Sequence, residues 1–352
     1  MDMSASTQQT YFGRVFAPDR EWLARQPPED VLVPELSIVD PHQHFWRRPN
    51  TSYFLDDFVA DLRTGHNVVA TVFVECSTMF RARGAEAMRP VGEVEFANGI
   101  AAMSASGLYG PARIAEGIVG HADMTLGDRL QPVLEALVRA GGGRLRGVRH
   151  SGGWDDDPAI NNSRAATGPL MMREPAFRAG VQRLGGLELN FDSWVFHPQL
   201  DEVTELARAC PGTSITLCHV GGVLGYGSYA GRKDEVFATW KKKITGLATC
   251  PNVTVKLGGM MNRLAAYDYR SLPAPASSVE MASHWRPFME TCIELFGPGR
   301  CMFESNFPVD KMGTNWVPLW NAFKRIAAGA SADEKEALFN RTARRVYRLT
   351  EA

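Results

Sequence analysis

The stretch Ser37-Ile-Val-Asp40-Pro-His42-Gln-His44-Phe-Trp46 passes abruptly from a β-type run to a cluster of polar side chains. The run predicts a short strand, and the polar cluster marks its carboxyl end. The same transition recurs along the chain. Strands are predicted at Ser37–Asp40, Val68–Glu75, Ala115–His121, Leu145–His150, Glu188–Val195, Ser214–His219, Asn252–Leu257 and Arg300–Glu304. Several are nearly continuous in apolar or β-branched residues, as strands buried on both faces should be. Helical patterns fill the intervals, over Asp56–Arg63, Val91–Ser104, Leu126–Ala140, Glu174–Leu184, Leu200–Ala209, Asp234–Ala248, His284–Phe296 and Trp316–Ala327. Ser331-x-x-Glu334 opens a terminal helix with a capping-box pattern. Such alternation requires a parallel sheet with crossover helices.

Eight strand-helix units are the arithmetic of an α/β fold of the (β/α)8 TIM-barrel type. A doubly wound sheet with a small second domain is the structural competitor. No linker-like break or internal repeat divides the chain, which favours one barrel domain over residues 37–352. Residues 1–36 read as an irregular N-terminal arm, punctuated by Pro27, Pro28 and Pro34. The arm is expected to offer a contact for a homo-oligomer. Two βα loops are long, at 151–172 and 259–282, where barrel enzymes shape their pockets.

Composition narrows the function. The 352 residues carry 38 Lys+Arg against 39 Asp+Glu, a net charge of −1. That balance argues against nucleic acid and against a polybasic membrane contact. Forty-five per cent apolar and 22% charged residues suit a soluble globular protein whose partner is a small-molecule substrate. No segment approaches the ~18 apolar residues of a membrane span. The polar N-terminus lacks a secretory pattern. Cys76, Cys210, Cys218, Cys250, Cys292 and Cys301 are scattered, as expected of reduced thiols in a cytoplasmic protein.

His42 and His44, at i and i+2 on a strand, point to one face, and at a barrel strand's carboxyl end that face is the active-site mouth. Two neutral imidazoles so placed are a ready pair of metal ligands; the alternative is a pair of hydrogen-bonded structural histidines. Glu75 ends the second strand and, if buried, needs a cation or a metal. Other strand ends carry His121, Arg149-His150, His219 and Glu304-Ser-Asn306, with Asp310 just beyond. Five of the eight histidines lie at strand ends and His197 just past another, which implies a polar site at one barrel face. Arg149 and Lys256 either hold a substrate carboxylate or form internal ion pairs. Trp194, Tyr226 and Tyr229 supply aromatic walls or core packing. The glycine-rich stretch Gly221–Gly231 lacks G-x-G-x-x-G spacing and reads as a flexible loop near the substrate. Asp155-Asp-Asp157 reads as a solvated acidic loop, and Lys241-Lys-Lys243 as a solvated helix face.

Six segments, in order, carry a resemblance: Val39–Trp46, Arg146–His150, Phe191-Asp to Pro198-Gln-Leu200, Leu217–Gly221, Asn252–Leu257 and Cys301–Pro308. Through them the chain resembles the amidohydrolase superfamily, specifically its amidohydrolase-related TIM-barrel hydrolases. That group includes sugar lactonases, 2-pyrone-4,6-dicarboxylate lactonase and 4-sulfomuconolactone hydrolase. The resemblance implies a metal on the H-x-H pair, His42 and His44, with a later strand-end histidine, His219. It also implies an aspartate closing the eighth strand, where this chain has Asn306. An amide cannot serve as general base near neutral pH. Glu75 would restore the lost charge at the metal. Asp310 or His150 would replace the base, with Glu304 less favoured because it lies deeper in the strand.

The expected activity is that of a metal-assisted hydrolase, a lactonase opening a carboxylated or oxygenated ring in a catabolic pathway. Zinc is the first expectation and manganese the second. A metal-free enzyme stays open, because a metal-independent lactonase exists within the resembled group. In this reading Arg149, His150 and His197 orient the substrate or stabilise its oxyanion, with Lys256, Trp194 and Tyr226 around it. A metal-dependent decarboxylase of an aromatic or muconate-type acid is the alternative, and a catalytically silent small-molecule-binding barrel the third reading.

Overall fold

A computed structural model describes residues 16–49, 51–160, 167–261 and 267–350. Eight parallel strands follow one another around a ring: β1 (Ile38–Gln43), β2 (Val68–Val74), β3 (Arg113–His121), β4 (Leu145–Ser151), β5 (Asn190–Trp194), β6 (Ile215–Leu217), β7 (Val253–Leu257) and β8 (Cys301–Phe303). A parallel bridge between Gln43 and Phe307 joins the two ends. His44 N donates to Phe307 O (2.8 Å) and Asn306 N to His42 O (2.9 Å). The join therefore falls at the residues that carry the H-x-H pair and Asn306. A short antiparallel hairpin, Trp46–Arg48 with Thr51–Tyr53, follows β1.

One main helix follows each strand: α1 (Leu55–Leu62), α2 (Val91–Ala105), α3 (Gln131–Ala140), α4 (Pro175–Gly186), α5 (Leu200–Ala209), α6 (Lys233–Ala248), α7 (Ser278–Phe296) and α8 (Trp316–Ile326). Each lays an apolar stripe on the sheet, as α3 does with Val133, Leu134 and Leu137. Burying such a side chain is worth about 1.5–3 kcal/mol.

Two helix boundaries differ from the sequence reading. The predicted helix at Leu126–Ala140 is a 3-10 segment, Met124–Leu130, that Gly127 breaks at φ 55° before α3 starts. The predicted helix at His284 begins instead at Ser278, because Ser277 and Glu280 form a capping box.

The arm, where described, lies on the barrel's own helices. Trp22 Nε1 donates to Leu272 O (2.9 Å), Gln26 Nε2 to Ala276 O (2.8 Å), and Lys324 Nζ to Leu32 O and Val33 O (both 2.8 Å). These donors are used within one chain. Residues 1–15 and the inner parts of both long loops, 161–166 and 262–266, lie outside the described residues.

The last described elements lie beneath the barrel. A helix (Ala332–Glu336), a π-turn (Ala337–Arg341) and a last helix (Thr342–Tyr347) run together there. Ala343, Val346, Tyr347 and Leu349 join Val39, Ala70, Val72, Val119 and Met302 in one interior cluster.

Candidate active site

The carboxyl ends of β1, β6 and β8 bring three polar side chains together. Glu304, just past β8, lies between two imidazoles: Oε2 is 2.6 Å from His42 Nδ1, and Oε1 is 2.6 Å from His219 Nδ1. His42, His219 and Glu304 form a group able to hold a metal ion, with ligand-type atoms within 4.8 Å of one another. Glu304, and not Glu75, is the carboxylate that lies beside the histidines.

The local backbone is forced to allow this. His219, Val220 and Asn306 all sit at positive φ, at 56°, 46° and 53°. Such strain in non-glycine residues tends to cluster at functional sites. Behind them the chain must be bare. A Cβ on Gly259 would lie 2.2 Å from His219 Nδ1, and one on Gly258 would lie 2.5 Å from Glu304 Cγ. The Gly258-Gly259 pair just past β7 is the mark in the sequence that could have revealed this close approach.

The tautomers follow from the partners of Nδ1. A carboxylate or carbonyl oxygen only accepts, so Nδ1 of His219 donates to Glu304 Oε1, and the 2.6 Å approach of Glu304 Oε2 favours a proton on His42 Nδ1 as well. His44 Nδ1 likewise donates to Val74 O (2.7 Å). Burial first, and nearby cations second, hold His42 and His44 well below the usual imidazole range, so both rings are neutral. Nε2 of His42 and His44 is therefore an acceptor, and that of His42 faces Arg149 Nη1 at 3.3 Å.

His150 and His197 are wired the other way. His150 Nδ1 accepts the Met124 N–H (3.1 Å), and His197 Nδ1 accepts the Leu224 N–H (3.3 Å). Burial pushes both rings down to about 4. Each is therefore a neutral imidazole whose Nε2 carries the proton. His150 is not the general base the sequence suggested; its Nε2 is a donor.

Both expected substrate cations are already paired. Arg149 Nε donates to Glu75 Oε1 (2.7 Å) and Nη2 to the Glu75 carbonyl, while Nη1 lies 3.3 Å from His42 Nε2. Burial alone would raise Glu75, but Arg149 outweighs it and keeps the carboxyl below its usual range. Glu75 is thus committed to a guanidinium and not to the histidines. Lys256 lies fully buried beneath His42, in an ion pair with Asp192 (2.8 Å). It is an internal prop and does not reach the mouth.

Asn306 Nδ2 donates to Asp310 Oδ1 (2.8 Å). Burial raises the Asp310 carboxyl well above its ordinary range and favours the protonated form, which cannot act as a base. Trp194 and Tyr226 pack with Ile160, Phe196, Cys218 and Leu224. The acidic loop is not simply solvated: Asp155 is buried and accepts from Tyr229 OH (2.9 Å), and Asp157 accepts from Ser228 N (2.7 Å). It fastens the glycine-rich loop, whose Tyr229 ring meets His197 edge-on at 5.1 Å.

An eight-stranded parallel barrel with histidines, a carboxylate and a guanidinium at its carboxyl-end mouth defines a barrel enzyme of the amidohydrolase kind. The chain belongs to the amidohydrolase family, whose profile matches residues 39–349. An uncharacterized protein of Sinorhizobium fredii, y4mH, is 30% identical over 337 residues, covering 90% of this chain and 99% of that protein. The L-fucono-1,5-lactonase of Burkholderia multivorans is 26% identical over 323 residues, 89% of this chain and 96% of the lactonase. A crystal structure of an amidohydrolase from Burkholderia multivorans with bound zinc superposes with a TM-score of 0.68 at 24% identity, covering 89% of this chain and 99% of that one. No described helix is long and apolar enough to cross a membrane.

Proposed function

We propose that the protein is a metal-assisted lactonase acting on an uncharged, oxygen-rich lactone ring. The observation that carries this reading is the opposed wiring of the histidines. His42 and His44 present Nε2 lone pairs, whereas His150 and His197 present Nε2–H donors.

The donor set fits a divalent metal. Three imidazoles, two of them backed by one carboxylate, are ligands that zinc accepts, and carboxylate–histidine contacts orient such rings. Nearby buried carboxylates (Glu75, Asp192, Glu304) outnumber the cations (Arg149, Lys256), which favours binding a positive ion. His42, His44 and His219 would hold it through Nε2, and Glu304 would keep their tautomer by retaining the Nδ1 protons of His42 and His219. Zinc held there would polarise the lactone carbonyl and acidify a water.

The remaining groups act on the substrate. Arg149 Nη1, the arm not bonded to Glu75, would donate to the developing oxyanion. His150 and His197 would donate to ring oxygens, and neutral donors suit hydroxyls and carbonyls. With Arg149 and Lys256 paired internally, neither offers a free charge to a carboxylate, so uncharged rings are favoured over carboxylated ones. Asn306 would orient substrate without exchanging a proton. All six cysteines are free, which suits a reducing, cytoplasmic setting.

Decarboxylation is the second reading. It draws on Asn306, an amide where the resembled hydrolases place the carboxylate of their base. The test is a panel of uncharged sugar-type lactones and carboxylated lactones, assayed with zinc-loaded protein in oxygen-18 water. The lactonase reading expects label in the ring-opened acid, with uncharged rings turned over fastest. No turnover of any lactone, with carbon dioxide released from an aromatic acid, would replace it with decarboxylation.

A further inference from the structure

The barrel interior holds a polar series that the proposed chemistry leaves unused. Tyr347, on the last helix, reaches up from the floor and donates its hydroxyl to Asp192, 2.9 Å from Oδ2 and 3.1 Å from Oδ1. Lys256 Nζ donates to Asp192 Oδ2 (2.8 Å) and to Pro41 O (2.9 Å), and lies 3.3 Å from His42 Nδ1. Asn190 Nδ2 also donates to Asp192 Oδ1 (2.5 Å). Tyr347, Asp192, Lys256 and His42 are all fully buried.

Closing the floor does not require this series. The surrounding cluster is made of Val, Ala, Met and Leu side chains, and a buried ion pair is often replaceable by apolar residues at no cost in stability. The chain also takes trouble to deliver Tyr347. The π-turn Ala337–Arg341 resets the helix just before it, and Asn340 Nδ2 pins that turn to Ser37 Oγ (2.6 Å) at the foot of β1. One end of the last helix is thus fixed to the strand that carries His42. The other end holds the residue beneath Lys256.

We propose that Tyr347 is a positioning residue for the active site: through Asp192 it holds Lys256 on the Pro41 carbonyl, and so fixes the β1 backbone from which His42 presents its ring. The consequence for metal binding rests on the metal-holding role proposed for His42; the effect on the ring itself does not. The hydroxyl is the only atom that must be lost to test it.

Tyr347→Phe keeps the ring and its packing. Val346→Ala serves as control, because Val346 lies in the same interior cluster and carries no polar atom. Zinc affinity is measured by competition with a chromogenic chelator, and the ring nitrogens of His42 are followed by nitrogen-15 NMR in the metal-free protein. Tyr347→Phe is expected to weaken zinc binding by about tenfold, as loss of an outer support does, and to move the His42 nitrogen shifts while leaving those of His197 unchanged. Val346→Ala is expected to lower the melting temperature with zinc affinity and His42 shifts unchanged. Wild-type shifts and affinity in Tyr347→Phe, or equal weakening in Val346→Ala, would overturn the proposal. Wild-type protein that binds no zinc would defeat the metal reading, and the His42 shifts would then decide the role of Tyr347 alone.

Discussion

The two groups of histidines at the barrel mouth differ in a single hydrogen bond each. On the β1, β6 and β8 side, His44 and His219 place Nδ1 against an oxygen that can only accept, and His42 Nδ1 lies 2.6 Å from a carboxylate oxygen. On the β4 and β5 side, His150 and His197 place Nδ1 against a backbone N–H that can only donate. One residue type thus supplies lone pairs to one half of the pocket and protons to the other. The difference teaches that position at a strand end is not enough to assign a role. The partner of the far ring nitrogen decides it.

The largest expected effect tests the lone-pair side. A His42→Ala/His44→Ala double variant should lose zinc from stoichiometric to background by elemental analysis, together with all lactone turnover. His150→Gln should keep its zinc and lose about tenfold in kcat/KM, the cost of one neutral hydrogen bond to a ring oxygen. If His150→Gln lost zinc as well, the division between the two groups would collapse.

Acid stability sharpens the donor side. The folded-state pKa of His197 is depressed to about 4 by burial, against about 6.5 in the unfolded chain. Between those values the unfolded state binds more protons, so stability falls as pH drops from about 6.5 to about 4 and changes no further below that. The loss from this residue should approach about 3 kcal/mol at most. Urea titrations at pH 7 and pH 4.5 should show a smaller drop for His197→Gln than for wild type. Equal drops would mean that the ring is not held neutral.

Glu304→Gln should weaken zinc by 10- to 100-fold, in line with other supports of metal-bound histidines. The chelator competition described for Tyr347 measures this directly, and unchanged affinity would remove Glu304 from the site. The smallest effect belongs to Asp310→Asn. A carboxyl held protonated by burial resembles an amide, so kcat at pH 7 should stay within about threefold of wild type. A general base would cost about 100- to 10,000-fold, and a loss of that size would restore Asp310 as the base.

The fold was legible because strand and helix periods differ and each of the eight units repeats the contrast. The helix boundaries that slipped, at Gly127 and Ser277, were set by one turn residue and one capping box. Within the site, the strand-end histidines were legible because they interrupt apolar runs. Their roles were not, because the deciding partners lie far along the chain: Val74 is 30 residues from His44, and Glu304 is 85 from His219. The same holds for the cations. Arg149 meets Glu75 across 74 residues and Lys256 meets Asp192 across 64, pairings that only the closed ring creates. Tyr347, 155 residues from Asp192, gave no local signal, since a tyrosine in a terminal helix reads as ordinary packing.

The most direct test of the opposed wiring is an anomalous-difference map at the zinc edge, from crystals of the zinc-loaded protein. A single ion on the Nε2 side of His42, His44 and His219, with Glu304 still bonded to Nδ1 of His42 and His219, is the predicted result. An ion on the Nδ1 side coordinated by Glu304, or no ion at the mouth at full zinc loading, would contradict it.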